Sequence, residues 1–174
     1  MQLTPLKKRR TFLIILVLVT LAYAGYQFYL YYAPRQAHYG QVETTDLGQE
    51  SLGGIQLQQS IRTIEPAPTP KQDNDLYPYY TLEDETTVAT EHGSDQIVLL
   101  VVYDNPDRST HKGIHAGSSR QEVLDAYGQA FYKREEQGTS IIGYVDKENH
   151  RSLEFWLYKS KVQMIRYSVD SVTM

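Results

Sequence analysis

Three runs in the last third of the chain, Ser140 to Val145, Leu153 to Tyr158 and Val162 to Ser168, are rich in Ile, Val, Tyr, Phe and Trp. Only short polar stretches, Asp146 to Arg151 and Lys159-Ser160-Lys161, separate them. β-Branched and aromatic side chains suit a pleated, half-buried surface, and separators this short join antiparallel neighbours, so the runs predict an antiparallel meander. In the middle run Leu153, Phe155 and Leu157 alternate with Ser152, Glu154, Trp156 and Tyr158. Successive strand side chains point to opposite faces, so the first set predicts a core face against a helix and Trp156 lies on the other.

The helix is signalled just upstream. Ser119 followed by Glu122 is a capping box, in which each side chain satisfies a free N–H of the first turn. Val123, Leu124 and Tyr127 form one apolar face, and Gly128 ends a helix of about two turns. The same order is seen earlier in the chain. Gly54-Ile55 matches Gly113-Ile114, Ser60 matches Ser119 and Ile64 matches Val123, all at a spacing of 59, while Tyr103 answers Tyr167 at 64. A duplicated unit is expected. Its first copy would hold a helix from Ser60 to about Ile64, a Pro-rich loop from Glu65 to Pro78, and strands near Tyr79 to Leu82, Thr86 to Thr90 and Gln96 to Tyr103. The last of these is the most apolar run of the exported part, as expected of a strand covered on both faces.

The N-terminal segment predicts a membrane contact. Thr11 to Ala33 runs 23 residues without a charge, long enough as one helix to cross a hydrocarbon core of about 30 Å. Lys7, Lys8, Arg9 and Arg10 precede it, which places the N-terminus in the cytoplasm and the rest of the chain outside. The alternative is a signal peptide cleaved near Ala24, since Ala22-Tyr23-Ala24 follows an apolar stretch; either reading exports the domain. Residues 34–50 have a linker's composition. The fold class expected is thus α+β: an N-terminal transmembrane helix, then one or two units of a helix plus a three-stranded antiparallel meander. The domains expected are a basic tail 1–10, an anchor 11–33, a linker 34–50, a degenerate first unit 51–111 and a second unit 112–174.

Charge and composition narrow the chemistry. All 21 Asp and Glu lie beyond residue 33, and with four of the 17 Lys and Arg in the N-terminal cluster the remainder carries a formal charge of −8. Such a domain repels phosphate backbones, so no nucleic-acid partner is expected. The absence of Cys excludes disulfides, thiolate metal sites and a thiol nucleophile. No phosphate-cradling Gly loop is present, so no cofactor is expected. The segment Asp104 to His115 holds carboxylates and two His, but Asn-Pro and Asp form turns and the segment reads as a loop between units, not a metal site. Ser118 and Ser119 read as helix-capping residues in the absence of a G-x-S-x-G elbow. Adjacent acids, Glu83 with Asp84 and Glu135 with Glu136, point to different faces and read as solvated surface. No catalytic residue is assigned. Trp156, Tyr158, Tyr144 and Tyr167 are the candidate binding residues, because an aromatic cluster on a helix-free sheet face supplies contact area at low entropic cost. The alternative for this face is ordinary core against the other repeat.

Gly113, Ile114, Gly117, Ser119, Glu122, Val123, Tyr127 and Gly128, followed by aromatic strands, resemble the helix-plus-meander modules of the SmpA/OmlA envelope proteins and of the beta-lactamase-inhibitor-protein family. The resemblance implies a non-enzymatic envelope or secreted domain that works by protein contacts across its sheet. The chain lacks the lipid-bearing Cys usual in the envelope proteins and the Pro that often follows the position of Gly128. The function expected is an anchored extracytoplasmic binding or adaptor module with a protein or cell-wall partner. The alternatives are an inhibitor or regulator of an envelope enzyme, with Asp104 to His111 as its projecting loop, or an envelope hydrolase.

Overall fold

The computed structural model describes residues 12–27, 40, 42–71 and 76–173. The chain forms two compact units, Met1–Gly40 and Gln41–Met174. In the first, residues 12–27 form helix α1 with its large apolar side chains, Phe12 to Tyr26, exposed. No helix among the described residues is long and apolar enough to cross a membrane. That finding corrects the expected transmembrane helix and the single-pass anchoring built on it. Residues 11 and 28–33 of the expected span lie outside the described residues.

The second unit carries one antiparallel sheet of eight strands in the order β1-β2-β3-β4-β8-β7-β6-β5. The strands are β1 (Thr69–Pro70), β2 (Tyr79–Thr81), β3 (Thr87–Thr90), β4 (Ile97–Tyr103), β5 (Tyr132–Glu136), β6 (Thr139–Asp146), β7 (Arg151–Tyr158) and β8 (Lys161–Val169). Helix α2 (Arg120–Tyr127) precedes β5, and a short C-terminal helix α3 (Asp170–Thr173) follows β8. The expected architecture, a transmembrane helix followed by helix-plus-three-stranded-meander units, is therefore corrected to one continuous eight-stranded sheet. Each half has a fourth strand, β1 or β5, and the first half has a 3₁₀ turn (Ile61–Thr63) in place of a helix.

The halves share their backbone construction. Gly54 and Gly113 both take a left-handed φ, 80° and 82°, which a Cβ disfavours. Gln58 N donates to Ile97 O at 2.8 Å, and Gly117 N, 59 positions on, donates to Val162 O at 2.8 Å. Ile97 N returns to Gln59 O and Val162 N to Ser118 O. Ser60 bridges to Gln96 and Ser119 to Lys161. Both central hairpins are bulged at the same place: Ala89 faces Leu99 but Thr90 faces Ile97, and Trp156 faces Met164 but Leu157 faces Val162. Ile97 therefore corresponds to Val162 at a spacing of 65, and the Tyr103 to Tyr167 match at 64 is corrected. Tyr167 is buried opposite Leu100, its counterpart being Val102, whereas Tyr103 lies opposite Met164 and is 62% exposed.

One face of the sheet carries the main core. Val123, Leu124 and Tyr127 of α2 pack with Tyr144, Leu153, Phe155, Leu157 and Tyr167. The Tyr127 ring stands 5.2 Å from Tyr144 and 5.3 Å from Phe155, within the range of favourable aromatic pairing. Of the expected linker, residues 42–50 form part of this unit. Thr45 N donates to Val145 O at 2.8 Å, Leu47 N to Asp146 Oδ2 at 2.9 Å, and Leu47 is buried. A leucine and a run of backbone donors that find partners explain why residues 42–50 do not behave as a stalk.

Candidate functional site

The face without helix α2 is built from every second residue of the strands. Register places Tyr103 of β4, Met164 of β8, Trp156 of β7, Ile141 of β6 and Arg134 of β5 in one row across five adjacent strands. Four strand spacings make that row about 19 Å long. Ile141 is buried, Met164, Trp156 and Arg134 are half-buried, and Tyr103 is exposed. Tyr158, two residues beyond Trp156 on the same strand face, is 53% exposed, and Lys159 Nζ stands 5.2 Å from its ring centroid.

The next row, Arg166, Glu154, Gly143 and Tyr132, holds this one in place. Glu154 is 1% exposed, which for a carboxylate requires full compensation by donors and charge. It receives Tyr132 Oη at 2.6 Å, Arg134 Nη2 at 2.9 and 3.0 Å, and Trp156 Nε1 at 3.2 Å. Arg134 also bonds Glu136, and its guanidinium carbon stands 5.2 Å from the Trp156 ring centroid, a cation–π contact. Burial disfavours the Arg134 charge, but the Glu154 and Glu136 carboxylates outweigh it and raise its pKa above the usual value. Gly143 is required because the Tyr132 ring lies where its Cβ would be. Trp156 is thus held by a hydrogen bond at its edge and a cation against its ring.

The four aromatic residues singled out in the sequence separate in the structure. Trp156 and Tyr158 lie on the helix-free face, while Tyr144 and Tyr167 are fully buried in the core of the opposite face. Tyr144 Oη donates to Gly128 O at 2.9 Å, and Tyr167 Oη to Leu47 O at 3.2 Å. Burial pushes both hydroxyls up to about 12, so both stay protonated. Their part is to seat α2 and residues 42–50. Sequence reading missed Tyr103, Met164, Arg134 and Glu154, which only strand register brings beside Trp156.

The remaining candidates are bound up in structural contacts. Arg108 joins Asp84 and donates to Gly53 O at 3.0 Å, and Asn105 Nδ2 reaches Asp84 as well. His111 N and Tyr127 Oη both donate to the buried Glu50, at 2.6 and 2.7 Å. The loop from Asp104 to His111 is thereby tied to the body of the unit. Among the described residues no group of three or more His, Asp and Glu is placed to hold a metal ion. Ser119 Oγ accepts Glu122 N at 3.2 Å as the helix N-cap, whereas Ser118 Oγ accepts His115 N at 3.2 Å, a turn contact upstream of the helix that corrects the expectation of a second capping residue. Glu135 pairs with Lys133, and Glu136 with Arg134. No protein-family model, curated protein or solved structure matches the chain.

Proposed function

We propose that the Gln41–Met174 unit is a binding module that works through protein contacts on its helix-free sheet face and not by catalysis. The observation that carries this reading is the row Tyr103, Met164, Trp156 and Arg134, with Tyr158 beside it, reaching solvent on that face. Tyr, Trp, Met and Arg are the side chains enriched at protein interfaces, and energetic hot spots are richest in Trp, Tyr and Arg. Fixing Trp156 through Glu154 and Arg134 before a partner arrives lowers the ordering cost of binding. The likeness of the Gly113 to Gly128 motif to modules that act by protein contacts supports the same reading.

The test is affinity purification of the tagged full-length protein from cross-linked cells, alongside the Trp156→Ala/Tyr158→Ala variant, with both melts recorded. A stoichiometric partner that is lost in a variant with near-native melting supports the reading. A partner retained unchanged by the variant contradicts it.

A further inference from the structure

We propose that the strip Tyr103, Met164, Trp156 and Tyr158 receives a short acidic, aliphatic turn of a protein partner, at the place that corresponds to the one the chain's own C-terminal turn takes on the other half of the same face. This rests on the binding-module reading and adds the chemistry of the occupant. On the first half, Val169 and Val172 pack against the apolar cluster of Ala89, Val98 and Leu99. Arg166 Nη2 donates to Val172 O at 3.0 Å, and Asp170 N donates to His150 O at 2.9 Å. The shared bulges and the spacing of 65 make Met164 the counterpart of Leu99 and Trp156 the counterpart of Ala89. The pair Val101 and Arg166 lies on the pseudo-twofold between the halves, since each is the other's counterpart.

The chain leaving β4 does not return over this second position as α3 does over the first. Asp104 takes a left-handed φ of 49° and its N donates to Gln163 O at 2.7 Å. Asn105 and Arg108 then bind Asp84 and Gly53, which draws the loop aside. Where the first half has Ala89, the second has the larger Trp156, and it leaves Tyr103 and Tyr158 more than half exposed. The charge around the strip sets the character of the occupant. Lys159 and Lys161 are exposed at the β7–β8 turn beside Tyr158, and neither forms an ion pair with a described residue. Lys161 also acts on Glu122, whose carboxyl is held below its usual pKa first by its Ser119 bonds. Asp104 is exposed next to Tyr103, across from Gln163 of β8. The two exposed lysines beside Tyr158 favour an occupant that sets its acid there.

The experiment is selection of a displayed random-peptide library on the full chain, followed by anisotropy titration of labelled winners. Peptides with Asp or Glu beside Val, Ile or Leu are expected, bound through Trp156 and Tyr158. The exposed-site variant Tyr158→Ser should weaken them with its melt unchanged, and Lys159→Glu/Lys161→Glu should weaken them about tenfold. Winners sensitive to Tyr158→Ser but basic, or indifferent to the lysine reversals, would overturn the acidic occupant and leave the binding module standing. Self-association that disappears in Trp156→Ala would mean that a second copy covers the strip, which also overturns it. If no winner responds to either aromatic variant, the turn-sized occupant is wrong; the partner of the purification experiment, present or absent, then decides the broader reading separately.

Discussion

Glu154 shows how much of the site rests on one side chain. It is a buried carboxylate whose oxygens are divided among Tyr132, Arg134 and Trp156. Removing Arg134 strands that charge, and Arg134→Ala is expected to destabilise the unit by about 3 kcal/mol in urea unfolding, with Glu154→Gln in the same background recovering part of the loss. Asp146 makes the pH dependence explicit. Burial would raise its pKa, but the Asn149 side chain and the Leu47, Asn149 and Glu148 amides outweigh it and lower the pKa. A lowered folded pKa stabilises above the unfolded value of about 3.9, and that stability is lost as pH falls through the folded value. Between pH 4.5 and 2.5 the unfolding midpoint should therefore drop further for the native chain than for Asp146→Asn. The face of Trp156 was legible because β7 alternates cleanly. The burial of Tyr144 and Tyr167 was not, because β6 and β8 lack that alternation and their faces follow only from pairing with Leu153.

Among the elements, α2 was legible because its start is chemical: Ser119 and Glu122 exchange bonds with each other's backbone. Ser119→Ala should cost about 1 kcal/mol, measured by chemical denaturation. Strand β5 was not legible, since Lys133 to Glu136 reads as solvated surface and becomes strand by pairing with β6 while its charges pair along the edge. The β5–β6 contact of Tyr132 with Gly143 predicts strong non-additivity. Gly143→Ala should destabilise markedly, and much less in a Tyr132→Ala background, because the ring that a new Cβ would meet is gone.

For the whole molecule, the repeat was partly legible in Gly54, Ser60 and their counterparts, but its consequence, β4 paired with β8 in a single sheet, required long-range contacts that local pattern does not encode. The same holds for residues 42–50, whose composition reads as linker but whose Leu47 fills a core position. Apolar length alone suggests membrane spanning, yet no helix among the described residues is long and apolar enough to cross a membrane. Joining two halves leaves one broad face opposite α2, covered by α3 on the first half and presenting aromatic side chains to solvent on the second. The proposed partner sits on this second half-face, and a photo-cross-linking residue placed in turn at Tyr103, Tyr158 and, on α2, Gln121 checks that in cells. The same discrete protein adduct is expected from Tyr103 and Tyr158 and none from Gln121; an adduct from Gln121 with none from the two tyrosine positions would put the partner on the α2 face instead.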